Sequence, residues 1–247
     1  MSPESQSPEF QPSPAWGLEQ VQARSAAGDD AAALRALAEL NPGEAERPRT
    51  AQLALALGRP RLAAVWAQDA DPLTAAAALL RLGHFQEALT ALAPEAPTAR
   101  VTLLRARAEW GLERRDGLER GGLENASTAR RLARQEGDGP ALMAAATLMG
   151  ERLQPGDPYA ALRALAEGLR TAEVLETSPD PYLLAVLALV QSQVGSPDKA
   201  RRTALKALEC SAPRSPARVL ALRLLGREEE ARAEAAAGEM PWEESLG

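Results

Sequence analysis

The sequence predicts an all-α fold, a right-handed solenoid of about seven antiparallel helical hairpins, and three observations carry that expectation. The first is composition. Alanine and leucine supply much of a hydrophobic content of 45%, while aromatics are only 3%. Small, unbranched side chains favour closely packed helices, and no segment alternates apolar and polar residues over the length of a strand. The second is a register of glycines. Gly28, Gly58, Gly83, Gly156, Gly195 and Gly226 each follow a helical pattern, and five residues beyond them stand Ala33, Ala63, Ala88, Ala161, Ala200 and Ala231. Nine residues beyond stand Leu37, Ala67, Leu92, Leu165, Ala204 and Ala235, always leucine or alanine. The third is a set of Ser-Pro and Asp-Pro pairs standing before apolar helical patterns. There the polar side chain can cap exposed amides, and proline fits the first turn because its missing N–H would have gone unpaired.

Along the chain these signals place each element. The first hairpin is expected at 14–27 and 30–41, opened by Ser13-Pro14 and turned at Gly28. The second follows at 48–57 and 60–70 around Gly58. Asp71-Pro72 opens the third, 72–82 and 85–93, with Gly83 between its helices. The fourth, 98–113 and 123–136, has no glycine in register; Gly117, Gly121 and Gly122 mark 113–122 as a loop or insertion. The fifth, 139–153 and 158–177, turns at Gly156 before Asp157-Pro158. Asp180-Pro181 opens the sixth, 181–194 and 197–210, which turns through Gly195 and Ser196-Pro197. Ser215-Pro216 opens the seventh, 215–225 and 227–237, around Gly226. Residues 1–13, rich in Pro, Ser, Gln and Glu, read as a disordered tail, 14–238 as the repeat domain and 239–247 as an acidic tail.

Six steps over the 198 residues from Gly28 to Gly226 average 33 residues, against about 34 for the tetratricopeptide (TPR) repeat. The segment VGSPDKARRTALKALECSAP at 194–213 resembles the turn and second helix of such a repeat, and LGHFQEALTALAP at 82–94 resembles another. The chain is identified as resembling a divergent member, because the large aromatics of that family's first helices are mostly missing and the repeat lengths are uneven. The resemblance implies a superhelix whose concave groove, lined mainly by the first helix of each hairpin, receives a peptide or protein partner.

Candidate partner-binding residues follow from that geometry. Arg100, Leu103, Arg107 and Trp110 are spaced to share one helical face, which combines guanidinium groups with an indole. Trp110 packing inside, with the arginines in water, explains the same spacing. Tyr182, Gln193 and Arg223 fall on the first helices of the last two hairpins, where the groove or plain solvent accounts for them equally. Residues 199–227 hold eight cations, Lys199, Arg201, Arg202, Lys206, Arg214, Arg218, Arg223 and Arg227, against the acid Glu209, in a chain of net charge −6. This basic segment suits an acidic peptide or a nucleic-acid backbone. The following acid-rich stretch, 228–244, offers internal neutralisation instead, and no aromatics interleave the cations as base-stacking platforms.

Catalytic chemistry finds little footing. The one histidine, His84, lies in a turn, the one cysteine, Cys210, reads as a small packing residue near a helix end, and no phosphate-binding glycine loop is present. One cysteine excludes an intrachain disulfide, and soft zinc-ligand sets are out of reach. No cofactor or metal is expected. The start of the chain has neither a positive cluster nor an apolar run, so it is not read as a secretory signal. A non-catalytic cytoplasmic adaptor or scaffold that binds a protein or peptide is the leading expectation, and a regulator of nucleic-acid transactions acting through 199–227 is the alternative. No membrane association is expected, and the oligomeric state is open.

Overall fold

A computed structural model describes residues 14–117 and 122–242, and every described element is helical. Seven hairpins follow one another. They are α1 (Pro14–Ala26) with α2 (Asp30–Glu39), α3 (Arg47–Ala56) with α4 (Pro60–Ala67), and α5 (Pro72–Arg81) with α6 (Phe85–Leu92). Next come α7 (Ala99–Asp116) with α8 (Gly122–Glu136) and α9 (Gly139–Leu153) with α10 (Pro158–Val174). The last two are α11 (Pro181–Gln193) with α12 (Pro197–Cys210) and α13 (Pro216–Leu224) with α14 (Glu228–Ala237). A single 3-10 turn at Glu44–Glu46, unmarked in the sequence pattern, leads into α3. Among the described residues no helix is long and apolar enough to cross a membrane.

Local chemistry sets the helix ends. The carboxylates of Asp71, Asp157 and Asp180 accept from amides of the first turns they precede, and so does the Ser215 hydroxyl. Ser196 makes no such bond although Pro197 follows it. Ser13 lies outside the described residues. Asp29, Thr98 and Asp138 supply the same cap without a following Ser-Pro or Asp-Pro signature. Gly28, Gly58, Gly83, Gly195 and Gly226 have φ between 73° and 76°. That left-handed conformation closes a helix cheaply only at glycine. Gly156 does not adopt it.

The fourth hairpin shows why its register looked broken. Helix α7 continues through Asp116, beyond the expected end at 113, and Gly117 at φ 70° takes the place of the register glycine. Gly122, five residues on, is buried where the other hairpins carry alanine, and so is Ala126, nine residues on. Residues 113–116 of the expected loop are thus helical, and residues 118–121 lie outside the described set.

Every register alanine five residues past a glycine is buried, from Ala33, Ala63 and Ala88 to Ala161, Ala200 and Ala231. Between them Leu37, Leu92, Leu148, Leu165, Leu183 and Leu222 are shut off from solvent. Alanine lets neighbouring helix axes approach, and leucine fills the space beside it. Helix α1 packs on α2, and from α3 onward each helix packs on the next in sequence. From α3 to α13 the first helices of successive hairpins also pack on one another, and the second helices do so far less. The array consequently curves with its first helices inside.

Curvature brings the two ends together. Arg214, in the turn between α12 and α13, donates from Nε to the Leu57 carbonyl at 2.9 Å and pairs through Nη2 with Asp30 at 3.2 Å. Glu239, just past α14, pairs with Arg59 at 3.3 Å and accepts from the Arg61 amide at 3.0 Å. Pro241 lies close against Gly83 in the third hairpin's turn. Both residues that reach across hold left-handed backbones, φ 58° at Arg214 and 57° at Glu239, a conformation that costs an L-residue roughly 1–2 kcal/mol.

Candidate functional site on the inner face

The inner face of the fourth to sixth hairpins gathers polar and aromatic side chains from three first helices. Arg107 on α7 lies over the Tyr182 ring of α11, its guanidinium carbon 5.3 Å from the ring centre. The Tyr182 hydroxyl donates to Glu151 Oε1 of α9 at 3.0 Å. Cation, ring and carboxylate thus tie three hairpins together. Burial works against the charge of Arg107, but Glu151 and then Tyr182 outweigh it, so this guanidinium holds its proton more firmly than a free arginine. Burial, reinforced by Glu151, pushes the Tyr182 phenol well above its ordinary value and keeps it a donor.

One turn along α7, Trp110 rests against the apolar cluster of Leu103, Ala106, Ala126 and Leu148. Its ring is covered by Arg152 at 4.6 Å and flanked by Arg114 at 5.9 Å. Arg152 in turn is ion-paired with Glu113, both almost fully buried. The other Glu113 oxygen accepts from the Gly122 amide at 3.1 Å, holding the start of α8. Trp110 Nε1, Glu151 Oε2 and Gln154 Nε2 are buried with no hydrogen-bond partner among the described residues.

The structure separates the sequence candidates. Arg107, Trp110 and Tyr182 belong to this inner assembly. Arg100 sits at its edge, 61% exposed, bonded through Nε to Asp138 at 2.6 Å. Gln193 ends α11 in solvent. Arg223 is covered by the Trp242 ring at 4.9 Å and lies 3.7 Å from Glu228. With Arg232 at 5.2 Å, it clasps that indole on the last hairpin, so the chain's own tail occupies it.

The basic segment divides in the same way. Arg214, Arg218, Arg223 and Arg227 pair with Asp30, Glu234, Glu228 and Glu230. Lys199, Arg201, Arg202 and Lys206 on α12 are exposed and make no ion pair among the described residues. His84 precedes α6 and meets Glu87 at 3.0 Å. Cys210 is exposed rather than packed, because α12 ends there with its last turn facing solvent. Sequence reasoning missed Glu113, Glu151 and Arg152. They sit among ordinary helical charges, and only the packing of α9 against α7 and α11 makes them partners.

Paired helices in chain order, glycine turns and a first-helix inner layer define a tetratricopeptide-like helical-repeat fold. Among solved structures, the chain is similar to a thermophilic TPR protein of Thermus thermophilus, with a TM-score of 0.56, 22% identity, and coverage of 77% of this chain and 100% of that one. No family model matches the chain, and no curated protein matches it.

Proposed function

We propose that the protein is a non-catalytic adaptor that binds an extended segment of a protein partner on its inner face, centred on Arg107, Trp110 and Tyr182. The observation that supports this most is the Arg107, Tyr182 and Glu151 assembly, drawn from three separate hairpins. Arginine, tryptophan and tyrosine are the residue types that carry most binding energy at protein interfaces. Glu151 adds a carboxylate that can accept from a partner's backbone amide. Arg100 at the edge offers an exposed guanidinium for an acidic side chain. Gln193 and Arg223 contribute little on this reading, one being in solvent and the other covered.

Photo-crosslinking in native lysate tests it, using full-length chain with a photoreactive residue at position 100, or at 205 on the outer surface as a control. Adducts from position 100 that fall more than about tenfold in an Arg107→Glu background are expected, as for a hot-spot arginine. Adducts from position 205 alone would remove the inner-face reading. The nucleic-acid alternative rests on the four exposed cations of α12. Titration with labelled DNA and RNA at two salt concentrations checks it; binding that weakens steeply with salt supports it, and no binding at low salt ends it.

A further inference from the structure

We infer that the contact between the chain's two ends is a releasable clasp that keeps the inner face shut, so that the partner proposed above gains access only when the array opens. The inference rests on that binding reading for its purpose and on separate observations for its mechanism.

The clasp closes a circuit. The turn bearing Arg214 meets the first two hairpins at Asp30 and Leu57, and the segment after α14 meets the second and third at Arg59, Arg61 and Gly83. About five hairpins therefore complete one turn. Five inner helices spaced about 9 Å apart enclose a ring roughly 15 Å across between opposing axes, little more than the ~10–12 Å diameter of a single helix. A shut circuit of that size leaves no room for a folded partner.

The clasp is made of contacts that can be undone. It consists of two ion pairs and two hydrogen bonds to backbone, with Pro241 against Gly83 as its apolar element. Screening shortens the reach of such charges, from about 10 Å at 0.1 M salt to about 3 Å at 1 M. Arg214 holds a strained left-handed backbone in the turn itself, which opening allows to relax.

The shut state also leaves polar groups unsatisfied inside. Trp110 Nε1, Gln154 Nε2 and Glu151 Oε2 are buried donors and an acceptor without partners among the described residues. An extended peptide admitted along the inner face of the open array offers such groups both carbonyls and amides at once. Opening and peptide binding thus favour one another.

The full chain supplies a probe site, because Cys210 is exposed beside the clasp. With a second cysteine at Ala27→Cys and a spin label on each, the closed array gives one short distance. Arg214→Glu, which sets two acids against each other at Asp30, is expected to shift the distribution to longer distances. Arg214→Asp combined with Asp30→Arg is expected to restore the short one. Phenylglyoxal modification of Arg107, mapped by mass spectrometry, is expected to quicken about tenfold as the open population grows by that factor. In the labelled chain without the Arg214 change, 0.5 M KCl is expected to act in the same direction, which keeps the test decisive if Arg214→Glu fails to fold. Unchanged distances under both perturbations overturn the clasp. Longer distances with unchanged Arg107 reactivity overturn its role as a gate. A short distance lost on dilution assigns the contact to a second copy and also overturns it. None of these readouts involves a partner, so failure of the binding reading leaves them intact.

Discussion

Glu113 and Arg152 form the most deeply buried ion pair described, with side chains 5% and 12% exposed. Removing one partner strands the other charge, which in buried settings costs about 3–5 kcal/mol, whereas replacing both with apolar groups is often neutral. Glu113→Gln or Arg152→Ala is therefore expected to lower the urea midpoint strongly, and Glu113→Leu with Arg152→Met to recover part of it, the Gly122 amide being left without its acceptor. Equal losses from the double and single variants would contradict this account. Asp138 makes a different kind of prediction. The hydrogen bond from Arg100 holds its carboxyl below the ordinary 3.8. A depressed carboxyl contributes stability in full above its unfolded value and loses it as pH falls through the folded one. Asp138→Asn keeps a capping oxygen over Ala141 but has no charge to titrate. The stability gap between wild type and variant should be present at pH 7 and shrink below about pH 4, as urea midpoints at the two pH values will show.

At the scale of helices, close approach does the work that large core side chains do elsewhere. A Cβ on Gly150 would stand 2.6 Å from Cγ of Leu165, itself fully buried with nowhere to go. Overpacking of that kind costs about 1–3 kcal/mol, and alanine's helical preference returns about 1 kcal/mol. Gly150→Ala is expected to destabilise by about 1 kcal/mol in thermal unfolding. A stabilised variant would mean that α9 and α10 can separate freely.

The helices were readable in advance because capping and glycine turns act within a few residues. Asp71, Asp157 and Asp180 cap from positions their following prolines mark. The fourth hairpin lacks the register signal because Gly122, not alanine, stands five residues beyond Gly117, although the turn glycine and the buried positions are of the same kind. Arg107, Trp110 and Tyr182 were legible as candidates from helical spacing and hairpin position. Their partners Glu151 and Arg152 were not, since nothing local distinguishes them from solvated charges. The contact of Arg214 with Asp30 depends on angles accumulated over five hairpins, which no window of sequence contains.

An open solenoid unfolds piecewise, since each repeat touches only its neighbours. The contacts from Arg214 and Glu239 to the first two hairpins add a link between ends and bind their stabilities together. Wild type is expected to lose helicity in one cooperative urea transition, and Arg214→Glu to broaden it or split it in two, with a lower apparent m-value. A steep single transition in the variant would show that cooperativity comes from stacking alone.

That same contact counts repeats. An open array tolerates the gain or loss of a hairpin, because its ends are free to fall anywhere. Here the turn carrying Arg214 must arrive above Asp30 and Leu57, and Glu239 above Arg59 and Arg61. Deleting one internal hairpin would leave both residues a fifth of a turn short of their partners. The number of hairpins between these contacts is thus a geometric condition, and insertions there are tolerable only where they lengthen a turn without rotating the array.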